Sequence, residues 1–343
     1  MPLPQPLPDL FRYFAERCFR GSSPLYERLS LAVAEDPELL ELASKAQPGQ
    51  LPPNMLFGAV HDLLLRGDEH PLRYFYPSLT PNPGDPELAV RPFKAYCRAR
   101  RGALARLIGT RRVQTNEVNR CAFLYPAFCL IHRDAGKPLA LVEAGASAGL
   151  NLLWDRYAYD YGTGGSCGSP FPALALKSEP RGGTMPFLCR RSPPVAARVG
   201  IDLRVSDLRR EDDYRWLQAL VWPEHRERRT NLAKAAACLK AQPPLLVEGD
   251  AIALLGEAAA EMPGDAALVV FHTHVANQFS PEEKQAFLAR LEAIAEQRAV
   301  YHLYNNMGDA LLRLDRHAGG RAQRLAAAET DAHGRWFRWL DAP

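Results

Sequence analysis

Residues 138–157 read Pro138-Leu-Ala-Leu-Val-Glu143-Ala-Gly145-Ala-Ser147-Ala-Gly149-Leu150-Asn151-Leu-Leu-Trp-Asp-Arg-Tyr157. The apolar run that ends in Glu143 predicts a short buried strand. Small residues over 144–149 let the backbone turn sharply and come close to a neighbour. The apolar segment from Asn151 to Tyr157 predicts a helix, whose first turn would offer N–H groups and the positive end of its dipole. Strand, glycine-rich turn and helix in that order predict an α/β protein.

Three more apolar runs follow: Leu245-Leu-Val-Glu248, Ala267-Leu-Val-Val-Phe271 and Ala299-Val-Tyr-His-Leu-Tyr304. Helical patterns separate them over about 224–241, 251–261 and 281–297. This alternation predicts a parallel sheet covered on both faces. Segments 310–314, 321–328 and 335–340 read as antiparallel strands, with Asp331-Ala-His-Gly334 as the last turn. The Gly-, Ser- and Pro-rich region 162–197 reads as an inserted loop or hairpin. Upstream, helical spacing recurs over 9–19, 24–34, 37–46, 54–65 and 92–108. A further helix over 116–131 is expected to be interrupted or kinked near Pro126. The expected division is a helical region 1–135, packed as a lid on the sheet's carboxyl-edge crevice, and a sheet domain 136–343.

The 343 residues carry 42 basic and 39 acidic side chains, a net charge of +3 that makes no electrostatic case for a nucleic-acid binder. No apolar run approaches the roughly 18 residues needed to span a bilayer. The start, Met1-Pro-Leu-Pro-Gln-Pro-Leu-Pro8, lacks the basic and apolar regions of a signal peptide. None of the seven cysteines forms a Cys-x-x-Cys pair, so reduced thiols in a cytoplasmic protein are expected, without a cysteine zinc site.

Two chemistries use the 143–150 turn. The pattern acid-x-Gly-x-(Gly/Ser)-x-Gly resembles the first motif of class I methyltransferases, which bind S-adenosylmethionine. That resemblance implies that Glu143, Gly145, Ser147 and Gly149 shape the methionine site. It also implies an acid on the ribose, for which Asp160 and Asp202 compete, and Asp250 at the adenine end. His272-Thr-His274 follows the strand that would face the transferred methyl, so His272 or His274 is the candidate general base. Asn277 and Phe279 are placed to orient a substrate. The bland reading is that one histidine caps the strand end. His-x-His also suits a metal, but no nearby carboxylate pattern completes a site, and none is expected.

The alternative is acyl transfer. Gly145-Ala-Ser147-Ala-Gly149 satisfies the Gly-x-Ser-x-Gly nucleophile elbow of a serine hydrolase, with Asp250 and then His272 or His317 in the required order. It ranks second, because that fold needs strands and an oxyanion loop before the elbow, where this chain reads as helical. A tight turn in a non-catalytic Rossmann-like binding protein is the third reading. Gln114-Thr-Asn116-Glu117-Val-Asn119-Arg120 is a dense polar patch. Thr115 or Asn116 would cap a helix, or Asn116, Glu117 and Arg120 would reach the crevice.

Gln114–Val118, Glu143–Leu152, Asp155–Tyr159, Gly200–Leu203, Trp222-Pro223 and His333–Trp336 occur together and in order. They resemble a bacterial family known as domain of unknown function 2332, over about Phe11 to Leu340. The resemblance implies a bacterial, cytoplasmic protein and carries over no catalytic residue. The combined expectation is a Rossmann-like, methyltransferase-type sheet that ends in an antiparallel hairpin and is preceded by helices. It would use S-adenosylmethionine on a small molecule. The Asn/Asp-Pro-Pro-Tyr signature of amino-methylating enzymes is missing at 272–274, so an oxygen or other nucleophile fits at least as well as an amine.

Overall fold

A computed structural model describes residues 6–114, 116–162, 165–182 and 184–340. The first five residues of the proline-rich start, and Thr115 as a cap candidate, lie outside these. The helices are α1 (Leu7–Tyr13), α2 (Pro24–Ala34), α3 (Pro37–Ala43), α4 (Pro52–Leu65), α5 (Val90–Ala99), α6 (Arg101–Thr110), α7 (Cys121–Ala135), α8 (Glu211–Leu220), α9 (Arg226–Ala241), α10 (Ala251–Ala260) and α11 (Pro281–Gln297). The strands are β1 (Leu139–Ala144), β2 (Ala158–Asp160), β3 (Ser166–Gly168), β4 (Ala175–Lys177), β5 (Glu179–Pro180), β6 (Val195–Asp202), β7 (Leu245–Glu248), β8 (Ala267–Phe271), β9 (Val300–Tyr304), β10 (Leu312–Ala318), β11 (Arg321–Thr330) and β12 (Trp336–Leu340). The chain divides into two units: residues 1–115 with 210–230, and residues 116–209 with 231–343.

The first unit is helical. Ser23 caps α2 by accepting from Tyr26 N, and Asp36 caps α3 by accepting from Glu38 N and Leu39 N, each with proline at the first helical position. The core is aromatic: Phe19, Tyr26 and Phe57 meet, the last two stacked at 4.6 Å. Arg215 of α8 pairs with the buried Asp62 of α4 at 3.2 Å. The single helix expected over 92–108 is two, α5 and α6, broken at Arg100. The Arg100 guanidinium holds both oxygens of Asp68, at 2.7 and 2.8 Å.

The second unit is built on a mixed, mostly parallel sheet. Nine strands of the described residues run in the order β5-β12-β11-β10-β9-β8-β1-β6-β7. β7, β6, β1, β8 and β9 are parallel, while β10, β11 and β12 continue antiparallel from β9. β1 is buried along its whole length because strands flank it and helices cover both faces. Ala140, Val142 and Ala144 face Leu255 of α10 and Phe287 and Leu291 of α11 within one apolar cluster. Alternation turns Leu141 and Glu143 to the other face, which α7 covers. There Phe128 lies edge-on to Phe271 at 5.4 Å and stacks on Trp154 at 4.3 Å. α7 runs on through Pro126 to Ala135 and ends at Gly136, whose φ is +63°.

Two expectations are corrected. The helix foreseen after the glycine turn is a short 3-10 segment, Asn151–Arg156, with non-helical angles at Leu153. Tyr157 then leads directly into β2. The region expected to be only a loop or hairpin adds β3 and β4 to β2 in a second sheet of order β3-β2-β4, in which β2 and β3 pair antiparallel and β4 is the strand not foreseen. The helix that covers this face of the main sheet therefore precedes β1 instead of following it.

Candidate active site at the carboxyl ends of the parallel strands

Strand order reverses at β1, which lies between β6 and β8. In open α/β sheets the crevice outside the carboxyl ends at such a point is where ligands bind. The 145–149 turn lies there, and its backbone is pinned from two sides. Gly145 N and Ala146 N donate to Ile201 O at 2.8 and 3.1 Å, and Gly149 N donates to Ala146 O at 2.7 Å. Ser147 N donates to the Asp202 carboxylate at 2.8 Å, and Ala148 N to Asn116 Oδ1 at 3.2 Å. Asn116 Nδ2 donates to Ser147 Oγ at 2.6 Å. Each N–H from 145 to 149 thus has a partner within the protein. The α-helix whose first turn was expected to offer donors is absent, and a 3-10 segment follows from Asn151 instead.

The glycines serve close packing. At Gly145 φ is +73°, and a Cβ there would lie 2.6 Å from Val275 Cγ2. At Gly149 φ is +78°, and a Cβ would lie 2.9 Å from Leu246 Cδ2. Ser147 has φ +52°, a left-handed conformation that costs a non-glycine residue roughly 1–2 kcal/mol. The bonds to Asp202 and Asn116 hold it there.

The four candidate acids separate clearly. Glu143 is buried at the end of β1. Its Oε1 accepts from Asn151 Nδ2 at 3.4 Å, and its Oε2 has no partner. Burial pushes its carboxyl well above the usual carboxylate range, against the Asn151 bond, which pulls the other way. Asp202 ends β6, and besides Ser147 N it accepts from Arg204 N at 2.9 Å. Asp250 caps α10 by accepting from Ile252 N at 2.8 Å. Asp160 is in the small sheet, where it accepts from Gly162 N at 2.9 Å. Asp202, not Asp160, meets the glycine turn.

The two histidines also part. His272 is wholly buried, with its Nε2 3.2 Å from His302 Nε2 and its ring edge-on to Phe287 at 5.4 Å. Burial drives its pKa down to about 3, so it is neutral. It is a core side chain. His274 is partly exposed and has φ +63°. Its N donates to Asn305 Oδ1 at 2.7 Å, its Nδ1 lies 3.4 Å from Asn306 Nδ2, and its Nε2 has no partner. Burial first, then the positive charge of Arg120, lowers its pKa to about 3.

The polar patch reaches this end of the sheet, as one expectation had it. Asn116 binds the glycine turn, and Arg120 donates to Ala332 O at 3.0 Å and to Thr273 Oγ1 at 3.5 Å. The Glu117 carboxylate lies 3.3 Å from His333 Nδ1. Asn277 is exposed, and Phe279 packs against the α10–α11 cluster. Asn305 is a residue that sequence reasoning missed. It is 1% exposed with an unpartnered Nδ2, and its only signal was its place just past a strand end.

A family model described as "Uncharacterized protein conserved in bacteria (DUF2332)" matches residues 8–339. The chain belongs to that family. No curated protein and no solved structure matches it. Among the described residues of this DUF2332 protein, no helix is long and apolar enough to cross a membrane, and no cluster of three or more His, Cys, Asp or Glu could hold a metal ion.

Proposed function

We propose that the crevice at the β1 switch point binds S-adenosylmethionine and that the protein transfers its methyl group to a small molecule. One observation carries this reading: the acid that ends β6 is hydrogen-bonded to the glycine turn after β1. The parallel strands, taken in chain order, lie 3-2-1-4-5, a Rossmann-like arrangement. Buried polar atoms without partners, Glu143 Oε2, His274 Nε2 and Asn305 Nδ2, fit a site that a ligand completes.

In this reading Asp202, at the end of β6 beside the glycine turn, holds the ribose. Asp250 takes the adenine end. Gly145 and Gly149 let the turn pack tightly enough to position Asp202. His274 replaces His272 as the proton acceptor, because His272 has no exposed surface. The cofactor supplies an electrophilic methyl on a sulfonium. The protein's share is chiefly alignment of nucleophile and methyl.

The test is thermal unfolding with and without S-adenosylmethionine and S-adenosylhomocysteine. Ligand at about 100 times its Kd adds roughly 2.7 kcal/mol, a rise of a few degrees for a chain of this size. Asp202→Asn should abolish the rise. No rise at millimolar ligand sinks the reading.

One feature favours the hydrolase alternative: the positive φ of Ser147 suits the strained turn of a nucleophile elbow. Against it, the Ser147 hydroxyl is paired with an amide, which cannot take its proton.

A further inference from the structure

Cys129 and Cys189 are 60 residues apart in sequence, yet Cys189 N donates to Cys129 Sγ at 3.2 Å. The Cα of Cys189, one bond of about 1.46 Å further on, is then within about 4.7 Å of that sulfur. The sulfur of Cys129 therefore sits against the backbone that carries the Cys189 side chain, the proximity a disulfide between them requires. The segment carrying Cys189 is held in place. Tyr125 Oη donates to Cys189 O at 2.7 Å, Gly168 N donates to Arg190 O at 3.2 Å, and Ser192 N donates to Gly168 O at 3.1 Å. Cys129 is fully buried on α7, whereas Cys189 is partly exposed. Arg133 lies over Phe187, 4.3 Å from the ring centre, two residues before Cys189.

We propose that Cys189 is a peroxide-reactive cysteine and that Cys129 resolves it, closing a Cys129–Cys189 disulfide. The Cys189 thiolate attacks one peroxide oxygen and the O–O bond breaks. The other oxygen leaves with the proton as water, or as an alcohol from an organic peroxide, and Cys189 is left as the sulfenic acid. The sulfur of Cys129 then attacks the Cys189 sulfur, the S–O bond breaks, and the hydroxyl leaves with the Cys129 proton as a second water. Two thiols lose two electrons in all, and the peroxide gains them.

The protonation states suit these roles. The hydrogen bond from the Cys129 thiol holds Cys189 down at about 7 against its partial burial, with His132 and Arg133 adding positive charge nearby. Burial pushes Cys129 well up, as expected of a partner that waits as the thiol. Cys18, Cys167 and Cys238 are also partly exposed, but burial raises all three. Since the thiolate is the nucleophile, Cys189 should react first.

The intact protein is treated with one equivalent of hydrogen peroxide, alkylated after denaturation and analysed by mass spectrometry. Two of the seven thiols should resist alkylation, and a cross-linked peptide should join residues 129 and 189. The rate should rise about tenfold from pH 6 to pH 8, as the thiolate fraction does for a group near 7. Cys129→Ala should leave a sulfenic acid at Cys189 that dimedone traps. Cys189→Ser should show neither product. Loss of two thiols in Cys189→Ser at the unaltered rate would overturn the proposal, as would first labelling of Cys18, Cys167 or Cys238.

Discussion

The backbone N–H of Ser147 donates to the carboxylate of Asp202 at 2.8 Å, tying the turn after β1 to the end of β6. The donor belongs to a buried residue, so removing the acceptor strands it. Asp202→Ala should cost about 1–3 kcal/mol, read from denaturant unfolding. Asn116→Ala, which strands Ala148 N and Ser147 Oγ together, should cost a similar amount. A loss below about 0.5 kcal/mol in both would mean that water replaces these bonds freely.

Gly145 meets Val275. Gly145→Ala should be destabilised twice over. The left-handed backbone costs roughly 1–2 kcal/mol, and overpacking against Val275 costs about 1–3 kcal/mol more. Val275→Ala in the same chain should recover only the packing part. A double-mutant cycle measures the difference, and additive losses would refute the contact as the cause.

Ser147 separates the functional readings. Ser147→Ala should keep any stabilisation by S-adenosylmethionine, because the Asp202 bond comes from the backbone N–H. Neither the parent protein nor the variant should be labelled by a fluorophosphonate probe. Labelling of the parent that is lost in Ser147→Ala would establish the hydrolase instead.

The buried histidines make the fold acid-sensitive. An unfolded histidine takes up a proton near pH 6.5, which folded His272 and His274 refuse until about pH 3. Over that window the unfolded chain binds more protons, so stability falls as pH falls. Replacing His272 and His302 together by phenylalanine should move the acid-unfolding midpoint to lower pH. Glu143 acts in the opposite sense. Its folded pKa is raised, so stability is lost as pH rises above about 4.5 towards the raised value. Glu143→Gln should therefore melt higher than the parent at pH 8, with the gap closing towards pH 5.

Much of the sheet was legible because its strands are unbroken apolar runs. Leu245–Glu248 and Ala267–Phe271 form strands with the bounds their hydrophobicity suggests. β6 was harder to see, because Arg198 interrupts it. That arginine makes sense only with the Asp155 carboxylate it pairs with at 2.7 Å, 43 residues earlier in the chain. The small sheet was hidden by its composition, since Gly, Ser and Pro mark loops and say nothing about tertiary pairing. No local pattern separates Asp160 from Asp202: both end a strand, and only the topology shows which strand neighbours β1. His272 and His274 differ likewise in burial, which the sequence window does not contain. The 114–120 patch was readable as polar, but its target, the turn at 147–148, is a contact across some 30 residues.

α7 covers the sheet face that carries Phe271, packs there against Trp154 of the 3-10 segment, and comes before β1 in the chain. This sets where the protein can be cut. An expression fragment begun at residue 136 would lack Phe128 and leave Trp154 and Phe271 bare, an invitation to aggregate. A trimmed version of the sheet unit has to start near residue 116 and bridge 209 to 231 with a linker, because residues 210–230 belong to the helical unit.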